Sequence, residues 1–409
     1  MLSIIFKLAL RNVLRNKRRS AITLSTVVIG LTALFFQQSL IESLQAEMVD
    51  RAINAWTSHL QIQSSQSEDP KIPQKPFYNV KALEKMLGTL SECAGFSKRV
   101  IFTGLAASSA NSKGVAFFGI EPEKEKQLFG FEQYVIKGKF ISKSGQSVIG
   151  SRLAKNLDLR VGEKFVMMGQ DEEGGLSART IRVAGIFETG SYAFDDQIAY
   201  VWWKDAQDVL RWGNGINSLA IKLHNVNKLD RTQKVVEEKV RQIGPEFKVV
   251  SWKDISAELI HIRKFQDAVL YLILIVIFVI VALGILNTML MSLFERIREF
   301  GLMMSIGAKR KEIMMLLIIE SGWLGVTGLF WGALWGAAII SFFGIVGLPL
   351  PLGEALSYFM PFERYLHLRF AWSSHIWAGI CVIFVSLLAG IIPAFKILHL
   401  KAADALRHV

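Results

Sequence analysis

The sequence predicts an α-helical membrane protein of four transmembrane helices, with an α+β extracytoplasmic domain inserted between the first and second helices. Three observations predict it. The chain has 409 residues and is 51% hydrophobic, yet much of its apolar content is gathered into four long runs almost free of charge. Each run exceeds the roughly 20 residues needed to cross a hydrocarbon core of about 30 Å. The stretch between the first two runs carries ordinary charge and a mixture of strand and helix patterns.

The first run, residues 20–41, lies between Arg19 and Glu42. The second, 268–294, lies between Asp267 and Glu295. The third, 313–353, contains a single charge, Glu320, and is long enough for a span and a connecting loop. The fourth, 370–395, lies between Arg369 and Lys396. The first run has the basic flank of a signal peptide, but its apolar stretch is too long and no Ala-x-Ala site follows, so a retained anchor is expected. Lys7, Arg11, Arg15, Lys17, Arg18 and Arg19 precede it with no acid among them. That bias puts the N-terminus in the cytoplasm. Four crossings return the C-terminus there, with Lys396, Lys401 and Arg407.

The chain then divides as follows. Residues 1–19 are a basic cytoplasmic segment, 20–57 the first span and a stalk, and 58–254 the extracytoplasmic α+β domain. Residues 255–294 are a second stalk and span, 295–312 a cytoplasmic helix, and 313–346 the third span. Residues 347–369 are a short outer loop, 370–395 the fourth span and 396–409 a cytoplasmic tail. The stalks rest on helical stripes continuing past the membrane: Ile41, Leu44, Met48, Ala52 and Ala55 on one side, Ile255, Leu259, Ile262 and Val269 on the other. Simple helix tilt is the alternative.

Half of the net charge of +12 is the N-terminal cluster, so the basic excess is mostly a topology signal and argues against nucleic acid as a partner. Cys93 and Cys381 are not expected to pair, which leaves the domain to its own core. Within it, residues 59–63, 99–103, 115–118, 164–168, 180–187, 198–202 and 218–223 read as strands. Val80, Leu83, Leu87 and Leu90 mark a helix, as do Val235, Val236, Val240 and Ile243. Residues 153–157 and 206–210 are shorter helices, and 70–76 is a loop.

Covalent chemistry finds no support. The nearest string to a phosphate loop, residues 145–151, lacks the lysine and reads as a strand entering a helix. The seven histidines show no metal-ligand spacing; His59, His224 and His261 read as ordinary polar residues. Residues 171–173 and 195–196 are acidic clusters in turn-like contexts that match no calcium loop. No metal and no cofactor are expected in this chain.

Three features of the apolar runs invite function. Glu320 is a costly carboxylate inside the third span, open to structural pairing with Lys309 or Arg310 or to a role in coupling. Gly328, Gly332 and Gly336, four apart, form either a packing face or one that slides or dimerises. Of Trp323, Trp331 and Trp335, only those near the helix ends are candidate interfacial anchors. The segment 295–312 joins Glu295, Arg296, Arg298 and Glu299 to an apolar face of Ile297, Phe300 and Met304, with Gly307 permitting a sharp stop. It suits docking on a soluble partner, or lying on the bilayer surface.

The string "ERIREFGLMMSIGAKRKEIMMLLIIESGWLG" resembles the signature of the FtsX-like, MacB-type ABC transporter permeases. Glu-Arg-x-Arg-Glu-x-Gly, Ile-Gly-Ala, Glu320 and Gly322 match in order. "LALRNVLRNKRRSAITL" resembles the family's opening and "PAFKILHLKAADALR" its close, with Ala402 where the family often has proline. "VIGSRLAKNLDLRVGEKF" and "VAGIFETGSYAFDDQIAYVWWKDAQDVL" resemble its periplasmic core domain. The resemblance implies that Glu295, Arg296, Arg298, Glu299, Phe300, Gly301, Gly307, Ala308 and Lys309 form a coupling helix. That helix docks on a separate cytoplasmic ABC ATPase dimer, which binds ATP and Mg. A second permease, identical or paralogous, completes the complex.

Four spans and "ETGSYAFDD" look most like the lipoprotein-releasing (LolC/LolE-like) permeases. These imply an inner-membrane protein that extracts lipoproteins toward a periplasmic carrier, with Phe35 and Phe36 as candidate acyl-lining positions. "SHLQIQ" occurs more broadly in the family. MacB-like export of a peptide, toxin or drug through an adaptor, and FtsX-like signalling to a cell-wall hydrolase, are the alternatives.

Overall fold

The computed structural model describes residues 2–15, 17–349 and 365–398. The Lys401, Arg407 and Ala402 readings, and most of the outer loop and tail, lie outside these residues. The described chain forms two compact units.

The helical unit takes in residues up to Gln45, Lys264–Pro349 and the chain from Tyr365 onward. Its helices are α1 (Leu2–Arg15) and the first part of α2 (Lys17–Ala52), most of α10 (Ala257–Glu295), α11 (Ile297–Ser305), α12 (Arg310–Val346) and α13 (Trp372–Leu398). Four of these are long and apolar enough to cross a membrane, over Ser20–Thr57, Ala257–Glu295, Arg310–Val346 and Trp372–Lys396. The 39 residues of α10 measure about 58 Å at 1.5 Å per residue. That exceeds a hydrocarbon core of about 30 Å, so tilt alone does not absorb the length. The amphipathic α1 has no counterpart in the sequence reading, which treats 1–19 as a charged segment.

The α+β unit covers Ala46–Arg263 among the described residues. After α2 come a π turn (Ile53–Thr57), β1 (Leu60–Ser64), α3 (Val80–Gly88), β2 (Cys93–Ala107), β3 (Ser112–Ile120), α4 (Pro122–Phe129) and β4 (Val135–Gly138). Next are β5 (Gln146–Gly150), α5 (Ser151–Asn156), β6 (Lys164–Gln170), β7 (Leu176–Phe187), α6 (Tyr192–Gln197), β8 (Ile198–Trp202) and α7 (Trp203–Leu210). The unit closes with β9 (Ser218–Leu223), α8 (Leu229–Ile243), β10 (Phe247–Ser251) and α9 (Trp252–Ile255).

The strands form one mixed sheet in the order β10-β1-β9-β2-β3-β8-β5-β7-β4, with β6 paired to β2 and β7. Two pairs, β3–β8 and β5–β7, are parallel. Six of the seven expected strands lie on or inside an observed one, and the seventh, 59–63, overlaps β1 but begins one residue before it. Both faces are buried, because successive side chains of one strand point to opposite sides. Val100 and Phe102 of β2 join one core with Phe117 and Val201. Ile101 of the same strand joins the other with Phe118, Tyr200 and Ala55. The apolar faces of α3, α5, α7 and α8 cover the first core.

Candidate functional site

The corner between α10 and α12 is built around Arg296. Its backbone (φ −112°, ψ 14°) leaves the helical region and separates α10 from α11. Its side chain turns inward. Nε donates to Glu299 at 2.8 Å, and Nη1 donates to Glu320 at 3.3 Å. The guanidinium lies 5.1 Å from the centre of the Phe300 ring. A second cation reaches the same carboxylate, since Arg15 of α1 donates to Glu299 at 2.8 Å. Burial pushes the Glu299 carboxyl up, but the hydrogen bonds from Arg296 and Arg15 outweigh it and hold the group below its ordinary value. Glu320 therefore has a structural partner, Arg296, which is not one of the two candidates, Lys309 and Arg310, expected from sequence.

The faces of α11 differ from the expected ones. Ile297, Phe300 and Gly301 are buried, so most of the apolar face expected to dock instead packs inside the unit. Glu295, Arg298, Glu299, Leu302, Ser305, Ile306, Gly307 and Lys309 are exposed, and Ala308 is half-buried. Leu302 at 58% and Ile306 at 79% exposure sit one helical turn apart, beside Arg298. They are the residues that sequence reasoning missed. The helix then stops in a Schellman arrangement: Ala308 N–H donates to Met303 O at 2.9 Å and Gly307 N–H to Met304 O at 3.2 Å. Gly307 has φ +100°, the left-handed conformation that this motif requires and glycine supplies. Glu312 then reaches back to accept from the Lys309 N–H at 3.0 Å, starting α12.

The glycine stripe of α12 is an intramolecular packing face. A Cβ on Gly328 would lie 2.4 Å from Val27 Cγ1, one on Gly332 2.7 Å from Leu31 Cβ, and one on Gly336 3.2 Å from Phe35 Cδ2. Side chains four apart on α2 thus fill the groove left by glycines four apart on α12. Phe35 is 5% exposed, so it packs between helices and is not open to line an acyl-chain cavity. The neighbouring face of α12 receives α13, where Gly390 approaches Ser321 and Gly325 approaches Ser386. Trp331 and Trp335 are exposed, while Trp323 packs on Phe6 with ring centres 4.9 Å apart and the planes tilted by 56°.

In the α+β unit, the acidic clusters have structural work. Asp171 accepts from the N–H of Gly175 at 2.6 Å in the β6–β7 turn. Asp195 is buried and accepts from Thr189 N at 3.0 Å and Thr189 Oγ1 at 2.8 Å. Burial pushes its carboxyl up to about 6. His59 accepts from the Leu223 N–H at 3.1 Å; burial, then Lys222, lowers its imidazole to about 4. No group of three metal-ligating side chains occurs among the described residues, and both cysteines are free thiols. A cavity of about 410 Å³ opens beside the π turn, lined by Trp56, Phe118, Phe194, Leu259 and Ile262 among others.

Two family descriptions cover most of the chain. The MacB-like periplasmic core domain matches residues 20–239, and the FtsX-like permease C-terminal region matches 271–402. The lipoprotein-releasing system transmembrane protein LolE of Haemophilus influenzae is 22% identical over 396 residues, 93% of this chain and 92% of that protein. LolC of Buchnera aphidicola is 25% identical over 227 residues, 53% of this chain and 54% of that protein. The macrolide export ATP-binding/permease protein MacB of Hyphomonas neptunium is 25% identical over 366 residues, 86% of this chain and 54% of that protein. The chain spans about half the length of two of these three relatives.

Proposed function

The chain belongs to the FtsX-like, MacB-type permeases of ABC transporters, and on that premise we propose that it is a membrane subunit driven by a separate ATPase. The α11 corner carries the reading. A short helix between two long apolar helices has its inner side fixed by Arg296, Glu320 and Phe300. It turns Arg298, Leu302 and Ile306 outward. A rigid, partly apolar knob of this kind, rimmed by charges of both signs, suits insertion into a groove on a partner. The partner is a cytoplasmic ATPase dimer that binds ATP and Mg. The basic N-terminal cluster puts α1 and α11 on the cytoplasmic side of the inner membrane and the α+β domain on the periplasmic side. A second permease, identical or paralogous, completes the assembly within the lipid.

The substrate we propose is an acylated lipoprotein, extracted from the membrane toward a periplasmic carrier. Its support is the LolE likeness, which runs through nearly all of both chains. MacB-like export from the periplasm is the second reading, favoured by the similarity over 86% of this chain to a macrolide exporter. Depletion of the protein in its host, followed by fractionation of triacylated lipoproteins, tests the choice. Retention in the inner membrane supports extraction; normal sorting in a host without a paralogue refutes it. Replacing Leu302 or Ile306 by Asp removes ATPase docking and leaves the fold of the α+β domain intact; an unchanged complex refutes the α11 assignment.

A further inference from the structure

The cavity of about 410 Å³ beside the π turn belongs wholly to the α+β unit, since every residue that lines it falls within Ala46–Arg263. Its size lies in the range of pockets that hold one drug-sized molecule, and its walls are apolar as in such pockets. Trp56, Ile72, Phe118, Phe194, Leu259 and Ile262 supply them. The walls are also held in place. Trp56 and Phe194 meet edge to face with ring centres 6.0 Å apart. The loop that carries Phe194 is tied at Thr189, whose carbonyl accepts from Arg51 Nη1 at 2.6 Å. The Thr189 N–H and hydroxyl donate to Asp195 at 3.0 and 2.8 Å.

One polar atom of this lining has no work inside the protein. Ser256 separates α9 from α10 and is 1% exposed. A serine just before a helix ordinarily turns its hydroxyl onto a free N–H of the first turn. Here Leu259 N–H donates instead to the Ser256 carbonyl at 3.0 Å, and Ser256 N–H donates to Trp252 O at 2.9 Å. The Ser256 Oγ has no hydrogen-bond partner among the described residues. A buried hydroxyl left so is costly, and this one belongs to a residue that lines the cavity. The charged side chains around the cavity are, by contrast, already matched. Arg51 Nε donates to Glu47 at 2.6 Å, and Lys71 pairs with Glu258. A charged ligand has to break one of these pairs, and an uncharged one does not.

We propose that this cavity binds an uncharged, mainly apolar small molecule of drug size through one oxygen that accepts from the Ser256 hydroxyl. The aromatic and aliphatic walls take its body, and Ser256 sets its orientation. The proposal goes beyond the permease reading and does not depend on it. The site lies within one unit, away from α11 and the glycine stripe, and its occupant is neither the ATPase nor the acylated cargo.

Benzophenone tests it, because it is uncharged, carries one carbonyl oxygen and inserts into nearby C–H bonds when irradiated. The full chain in lipid nanodiscs is labelled over a range of concentrations, and the adducts are mapped by mass spectrometry. Adducts are expected within 189–198 and 256–262, beside those that partition into lipid produces in the membrane spans. Ser256→Ala removes only an unpartnered oxygen. It should raise the half-saturating concentration at the cavity about five- to tenfold, as the loss of one hydrogen bond gives, and leave span labelling unchanged. Ala116→Phe, which adds a ring to the cavity lining, should abolish the cavity adducts. Benzoylbenzoate, the same molecule with a carboxylate, should label the cavity about tenfold less, since its charge has no free counterpart there. No adduct in either segment while the spans are labelled, or cavity adducts that survive Ala116→Phe, overturns the site. An unchanged half-saturation in Ser256→Ala overturns the role of the hydroxyl. Benzoylbenzoate that labels the cavity as well as benzophenone overturns the uncharged ligand class. Should Ala116→Phe fail to fold, Ser256→Ala and the carboxylate decide the matter alone.

Discussion

Alanine substitution along the α12 glycine stripe is expected to change sign within two helical turns. A Gly→Ala change in a helix interior stabilises by about 1 kcal/mol when the new methyl meets nothing. Overpacking a filled interface costs about 1–3 kcal/mol. At Gly332 the new Cβ would sit 2.7 Å from Leu31 Cβ. That atom is fixed to the backbone, so α2 must shift. At Gly328 the distances are 2.4 Å to Val27 Cγ1 and 2.9 Å to Val27 Cβ, and a valine in a helix has one dominant rotamer. Both variants should lose up to about 2 kcal/mol net. At Gly336 the closest atoms, on Phe35, are 3.2 and 3.3 Å away, which a few tenths of an ångström relieve. There the helix gain offsets the crowding, and Gly336→Ala should be neutral or slightly stabilising. Thermal midpoints of the three purified variants in one detergent read the order directly. Equal midpoints, or Gly336→Ala as the most damaging, would refute the packing of α2 into this groove.

Gly307→Ala meets no atom within 4 Å, so its cost is the left-handed backbone alone, about 1–2 kcal/mol; faster amide exchange at Ala308 is the readout. Glu299→Lys places a third cation beside Arg15 and Arg296 and should abolish association with the ATPase in a pull-down while leaving the α+β domain folded. Two buried groups give opposing pH slopes. Asp195, raised to about 6 from 3.8, binds its proton more tightly in the fold, so it removes stability as pH rises between about 4 and 6. His59, lowered to about 4 from 6.5, does the reverse, removing stability as pH falls from 6.5 toward 4. Each shift is worth about 3 kcal/mol, and they nearly cancel. Asp195→Asn should expose a stability that rises with pH, and His59→Gln one that falls, measured by denaturant-dependent exchange of sheet amides in the full chain; parallel slopes in both would contradict the assignment.

Local pattern carried a large part of the fold. Strands β8 and β9 occupy the ranges that their β-branched and aromatic runs imply, and the four apolar runs lie in helices longer than a hydrocarbon core of about 30 Å. What pattern cannot say is which neighbour covers a given stripe. Ile297 and Phe300 and the pair Leu302 and Ile306 are both apolar stripes at helical spacing. The choice between them is made by Arg296, whose turn toward Glu320 buries one stripe and exposes the other. From sequence Phe35 is a candidate for lining or for facing lipid, because nothing local reveals that Gly336, 301 positions away, receives its ring. The α1 helix does leave a signal, since Lys7, Arg11 and Arg15 recur every four residues, but the same charges are equally what a topology signal requires. The cavity beside the π turn leaves none, because Phe118, Phe194 and Leu259 come together only through the placement of β3, α6 and α10.

The direct test of the account is photo-crosslinking from α11 in intact cells. A photoreactive residue at Leu302 or Ile306, with the adduct identified by mass spectrometry, should capture a single nucleotide-binding ABC subunit, and the same residue at buried Phe300 should not. Adducts confined to lipid or to this chain, from both exposed positions in a cell where the protein is functional, would contradict the coupling of this chain to an ATPase through α11.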